Sequence, residues 1–226
     1  MSAEQRILLV EGQDDRDFFQ KVICQLKLSV NIEPETPKDF CQTESDGIDV
    51  LRTRALPIAL KRIQEEGRIT RIAVIADADA QEQGYGFAKR REQITSVLRD
   101  YGYDIPQLPE KIVKGEIFTH PDEYTPVGLW IMPTHRDDGM LEDLLLGNLN
   151  NTTQQSLLAK ADEAISGLGE LRTFKDTHLS KARLSTLLAW QKKPGTSAGK
   201  AYQAGVFANE SAALSAFTHW LQQVFQ

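Results

Sequence analysis

The ten residues Arg71-Ile72-Ala73-Val74-Ile75-Ala76-Asp77-Ala78-Asp79-Ala80 constrain the fold more than any other stretch. A run of β-branched and small apolar residues, followed by a polar, glycine-bearing segment, reads as a short strand buried on both faces. Such strands belong to parallel sheets with helices above and below. Two aspartates stand at its carboxyl end, where open parallel sheets collect their ligands. In extended backbone, residues i and i+2 share a side, so Asp77 and Asp79 are expected to aim two carboxylates at one point. Converging anions repel unless a cation sits between them. All-oxygen donors suit Mg²⁺ or Mn²⁺ better than zinc. The competing reading gives Asp77 to the cap of the next helix and Asp79 to solvent, and short acidic motifs often have such plain explanations.

Arg6-Ile7-Leu8-Leu9-Val10 is a second strand candidate, and it runs directly into Glu11-Gly12-Gln13-Asp14-Asp15. An acid again follows the strand, and Gly12 permits a tight strand-to-helix turn. Phe18, Phe19, Val22, Ile23 and Leu26 then recur at spacings of three and four, the apolar stripe of a helix on a sheet. Asp14 or Asp15 is the expected N-cap. If the two strands are neighbours, Glu11 faces the Asp77/Asp79 pair.

A strand ending in Val10-Glu11-Gly12 and a later strand ending in Asp77-Ala78-Asp79 resemble the TOPRIM domain of primases, topoisomerases and OLD-type nucleases. The resemblance covers roughly residues 5 to 135 and extends to stand-alone TOPRIM-like proteins of the DUF3226 type. Their C-terminal half carries a Gly-x-Leu-Glu-Asp segment like Gly139-Met140-Leu141-Glu142-Asp143. It implies an α/β, Rossmann-like, mostly parallel sheet flanked by helices, with Mg²⁺ (or Mn²⁺) held by Glu11, Asp77 and Asp79. It also implies that Glu11 can serve instead as general acid or base. One fold hosts many chemistries, so activity is argued from the site.

In chain order, Leu28–Glu33 is a strand candidate ended by Pro34 and Pro37, and a helix is expected over 49–66, with Pro57 either splitting it or marking the first turn of its longer piece. Residues 81–86 read as a loop over the acids. The next helix, about 87–101, opens with Lys89-Arg90-Arg91, either a phosphate contact or a solvated face. Residues 104–125 read as a meander or hairpin, and Val127–Met132 as a buried strand stopped by Pro133. His135 follows in a polar loop, as a ligand, a proton donor or merely a solvated side chain. Glu142 and Asp143 open another helix, where the choice is between charge at a helix N-terminus and a further metal ligand, Glu142.

From Asn148 onward the texture is helical, about 153–165, 176–192 and 210–225, with 194–199 as a flexible connector. The expected division is a TOPRIM-like domain over 1–147 with a helical appendage, 148–226, packed on it. Lys175, His178, Lys181 and Lys200 are the basic candidates there. Lys181 is the preferred catalytic cation, and Lys89, Arg90 and Lys200 the substrate contacts.

A composition 41% apolar and 26% charged fits a chain able to bury a sizeable core. Two cysteines without metal-site spacing point to a reduced cytoplasm. Neither a leader-like N-terminus nor an apolar run of membrane-spanning length is present, so no membrane association is expected. The formal charge of −6 argues against a broad duplex-binding surface but leaves room for a local basic groove.

Three functions stand from these residues. The first is metal-dependent, nuclease-like phosphodiester hydrolysis, with nucleic acid as the partner. The second, a haloacid-dehalogenase-like phosphatase, resembles the Asp77-Ala78-Asp79 motif, but Ala80 stands where that family has Thr or Val, and Glu11 has no part in it. The third is a non-catalytic module that binds Mg²⁺ together with a nucleotide, a nucleic acid or a protein.

Overall fold

The computed structural model describes residues 4–28, 30–80, 84–108 and 115–226. A five-stranded sheet runs in the order β2-β1-β3-β5-β4, formed by Glu33–Glu35, Gln5–Leu9, Ile69–Asp77, Val127–Met132 and Glu116–Phe118. The first four are parallel, and β4 closes the edge antiparallel to β5. Leu9 stands opposite Val74, and Ala76 opposite Ile131.

Both sheet faces are apolar, as the central run requires. Ile72, Val74 and Ala76 join Ile7, Leu9, Leu129 and Ile131 in one core. It is covered by α4 (Leu56–Glu66) and α5 (Phe87–Asp100). Ala73 and Ile75 join Leu8, Trp130 and Met132 on the other face. Its cover comes from α1 (Gln13–Leu26), α6 (Leu141–Leu146), α8 (Leu179–Ala189), α9 (Ala198–Gln203) and α10 (Ala212–Phe225). Period-two alternation thus sends successive residues into two separate helix layers. Residues 148–226 share a continuous core with the sheet, so the expected boundary at 147 does not divide the core. Also packed there is α7 (Thr152–Gly167), which pairs with α8 through Arg183 and Asp162.

Several local expectations shift. The strand expected at 28–33 lies instead at Glu33–Glu35, with Pro34 inside it. Pro34 is admissible because β2 is an edge strand with an unpaired side. Residues before α4 form two short segments, α2 (Pro37–Cys41) and α3 (Ile48–Val50). A single π-helical stretch, Leu51–Ala55, joins α3 to α4 without a break. Pro57 then falls in the first turn of α4, where a missing N–H costs least, so it does not split the span. The expected connector at 194–199 already contains the start of α9, capped by Ser197, whose side chain accepts the Lys200 N–H. Part of the expected loop, residues 81–83, lies outside the described residues. No helix among the described residues is long and apolar enough to cross a membrane.

Candidate functional site

The chain leaves β1 for β2 on one side and returns to β3 on the other, so the crevice beyond the carboxyl ends of β1 and β3 is the sheet's switch point. Glu11 lies just beyond β1, and its Oε1 accepts the Asp77 N–H at 2.8 Å. Asp77 ends β3, and its Oδ1 accepts the Leu141 N–H at the start of α6 at 3.0 Å. One acid therefore ties β1 to β3, and the next ties β3 to α6. Asp15 stands in the first turn of α1 and accepts the Gly12 N–H at 3.1 Å. This reciprocal cap comes from the third helical residue, and it replaces the N-cap role expected for Asp14 or Asp15: the N-cap itself is Gly12.

The start of α6 repeats the device. Asp143 accepts the Met140 N–H at 2.9 Å and the Ser180 hydroxyl at 2.5 Å. Held this way, Asp143 serves the backbone and α8, while Glu142 faces the crevice. Asp15, Asp77, Glu142 and Lys181 line a cavity of about 410 Å³, with Ser197 and Gly199 on its far wall. Glu11 is not among the residues lining it and is held instead on the Asp77 N–H of β3.

These acids perturb one another. Burial is the main cause that pushes Glu11 up to about 7, with Asp15 and Asp79 adding to it against the charge of Arg90. Burial likewise takes Asp15 to about 7, with Glu142 raising it further and Lys181 opposing. Asp77 is raised well above the carboxylate range by burial and then by Glu11, Asp15, Glu142 and Asp79. Glu142 is raised by burial against the pull of Lys181. Burial alone would lower the Lys181 ammonium, but Glu142, Asp77, Asp15 and Glu11 outweigh it and hold it above its ordinary value. Four carboxyl groups thus share one lysine.

Asp79 stays close enough to raise both Glu11 and Asp77, but it is not aimed with Asp77 by the extended geometry expected of it. Extended backbone ends at Asp77, and Asp79 adopts a left-handed φ of 60° while bridging to Gly139 through Asp79 N to Gly139 O at 2.8 Å. The i, i+2 rule for strands therefore does not reach it. Its carboxylate goes instead to Arg90, 2.5 Å away. Arg90 is buried and also donates to the Asp77 carbonyl at 2.7 Å and to Gln93 at 2.9 Å. Its guanidinium is thereby committed to holding the turn, so it is neither a phosphate contact nor part of a solvated face. Lys89 is exposed, reaches back to the Gly84 carbonyl at 2.5 Å, and does not line the acidic cavity. Arg91 is buried against Glu116 at 2.6 Å.

His135 is fully buried, contrary to both the ligand and the solvated readings. Its Nδ1 accepts the Ile131 N–H at 2.9 Å, which leaves Nε2 to donate to Glu116 at 3.1 Å. Burial alone would raise Glu116, but the bonds from His135 and Arg91 hold it below its ordinary value. This Arg91–Glu116–His135 cluster fastens β4 to α5 and to the loop after β5.

Lys200 lies outside the acidic cavity and opens onto a neighbouring one; Lys175 and His178 line neither. Asp15 is the functional candidate that sequence reasoning passed over, having been spent on the helix cap. The signal was available: an acid three residues after a glycine turn is a reciprocal-cap spacing, and its second oxygen remains for the cavity. Among the described residues, no three His, Cys, Asp or Glu side chains stand grouped so that they could hold a metal ion.

A family model described as "Protein of unknown function (DUF3226)" matches residues 5–226. No curated protein and no solved structure matches the chain.

Proposed function

We propose, from the premise that the chain belongs to the DUF3226 family, that the crevice beyond β1 and β3 is a TOPRIM-like site for Mg²⁺-dependent phosphodiester hydrolysis of nucleic acid. The observation that carries this reading is the convergence of Asp15, Asp77 and Glu142 on one cavity, where Lys181 is the one cation among the described lining residues. Hard oxygen donors raised by burial and by neighbouring acids favour a bound cation. Mg²⁺ keeps several waters and needs only one or two carboxylates, so a three-ligand cage is not required. Asp77 with Glu142 would hold the ion, Glu11 bracing Asp77 from behind. When bound, Mg²⁺ or Mn²⁺ polarises a phosphoryl oxygen and acidifies a coordinated water.

The chain's own groups supply the rest. Lys181 places a positive charge where the pentavalent phosphoryl group gathers negative charge. Asp15 titrates near neutrality, so it can take a proton from the attacking water or return one to the leaving oxygen. Glu11, raised similarly but off the cavity wall, fits a supporting role better than the direct one the resemblance allows.

The net charge of −6 favours a second reading, a non-catalytic module in which the same acids and Lys181 hold a Mg²⁺–ligand complex. One experiment separates the two. Single- and double-stranded DNA and RNA are incubated with Mg²⁺ or Mn²⁺ and either wild type or Asp77→Asn, and Mn²⁺ binding is followed by electron paramagnetic resonance. Cleavage by wild type that disappears in the variant supports hydrolysis. Absent cleavage, with Mn²⁺ binding lost in the variant, supports the module. Absent Mn²⁺ binding by wild type rejects both.

A further inference from the structure

A second cavity, of about 650 Å³, adjoins the acidic one, and Thr196 lines both. Its charge is the opposite. Lys192 and Lys193, just after α8, and Lys200, on α9, line it, with no Asp or Glu among its described lining residues. All three lysines are exposed, and among the described residues none forms a salt bridge. The rest of the lining is neutral. Gln154 and Gln191 close on each other through reciprocal amide bonds of 3.2 and 2.8 Å, and Ala201, Ala204 and Val206 add a small apolar floor.

In a chain whose net charge is −6, three lysines without a salt bridge around one concavity concentrate positive charge against the overall balance. They repel one another and gain most from a shared anion. We infer that Lys192, Lys193 and Lys200 form an anion subsite for a nucleoside phosphate, which holds a substrate phosphate beside the one under attack. The lysines take the phosphate, the apolar floor takes the flat body, and the Thr196 wall is the crossing into the acidic crevice. A negatively charged strand could not be held by the acidic crevice alone; the subsite supplies the attraction that crevice lacks. As a route to the acidic crevice, the subsite rests on the phosphodiester reading, but its anion chemistry does not.

The test measures binding and chemistry separately. Fluorescence anisotropy follows a labelled oligothymidylate of about ten nucleotides, within the usual reach of single-strand binders. Wild type, Lys192→Gln/Lys193→Gln/Lys200→Gln and the control Lys61→Gln are titrated across a range of salt. Three lysine contacts to a single strand give a log–log salt slope of about −2. The triple variant is expected to lose that slope and about tenfold in affinity at low salt, while Lys61→Gln, on α4 and outside both cavities, keeps both. Hydrolysis of bis(p-nitrophenyl) phosphate, which has no second phosphate, should be the same in the triple variant and wild type. If neither cleaves it, the hydrolytic reading fails while the anisotropy still judges the subsite. Competition by thymidine monophosphate at similar concentrations identifies a free nucleotide as the ligand, and competition only by strands identifies a polynucleotide. Unchanged affinity in the triple variant, or no binding by wild type, overturns the inference.

Discussion

Asp77 sits where three constraints meet: it ends a buried strand, it accepts the first N–H of α6, and it adjoins Glu11. Its neighbours set the pH behaviour of the whole crevice. Glu11 and Asp15 have folded-state values of about 7, against 4.5 and 3.8 without the fold. A raised carboxyl leaves the folded state holding more protons than the unfolded chain between those limits, so stability falls as pH rises through the window. The Glu11 shift corresponds to on the order of 3 kcal/mol. With a chelator present, Tm at pH 8 should lie roughly 5–10 °C below that at pH 5, as scanning calorimetry would show. Saturating Mg²⁺ should remove most of that slope, because a cation takes over the work of the protons. Asp77→Asn keeps the acceptor for Leu141 while deleting a charge, so its chelated Tm at pH 8 should exceed that of wild type. A flat pH profile would mean that the acids do not interact in this way. At this scale, the acids at strand ends were legible in the sequence. The fate of Asp79 was not, because a left-handed φ at one residue and a buried arginine eleven positions later decide it. His135 was illegible for a similar reason: its partner, Glu116, lies on a three-residue edge strand with little sequence signal of its own.

Among the elements, long periodic segments were readable and short ones were not. β3, β5, α1 and α5 follow from their apolar spacing, because each buries enough surface to impose a pattern. α9 has six residues, too few for a periodic stripe, and its Pro-Gly-Thr-Ser-Ala-Gly approach mimics a linker. What fixes it is contact with α1. A Cβ on Gly199 would stand 2.9 Å from the Asp17 carbonyl and 2.9 Å from Lys21 Cγ. Tyr202 packs edge-on against Phe18 with ring centroids 5.5 Å apart. Replacing a helical glycine with alanine ordinarily stabilises by up to about 1 kcal/mol. Here the clash is with backbone, so Gly199→Ala should instead destabilise by about 1–3 kcal/mol in a urea titration. A gain in stability would show that α9 rides loosely on α1. Because α9 also walls both cavities, the same substitution should weaken oligothymidylate binding more than its loss of stability alone explains.

The molecule as a whole depends on its last helix. α10 buries Leu214, Phe217, Trp220, Leu221, Val224 and Phe225 against the sheet face that β3 and β5 present. The approach is close enough to need glycine in the sheet. A Cβ on Gly128 would meet Val224 Cγ2 at 2.6 Å, and one on Gly115 would meet Trp220 Cδ1 at 2.4 Å. Trp220 Nε1 donates to the Glu116 carbonyl at 3.1 Å, which ties α10 to β4 as well. Each such side chain is worth about 1.5–3 kcal/mol when fully buried, so together they contribute on the order of 10 kcal/mol. Net stability for a domain is only about 5–15 kcal/mol. The helical region is therefore half of the sandwich rather than an addition to a finished domain. A chain truncated after Asn209, which lacks only α10 and its cap, should lose its cooperative thermal transition. It should also bind a hydrophobic dye such as ANS, whose fluorescence reports the uncovered face. If that truncated chain melts cooperatively, with a Tm near that of the full chain, α1, α6, α8 and α9 cover the sheet face well enough without α10, and the acidic crevice owes nothing to the last helix.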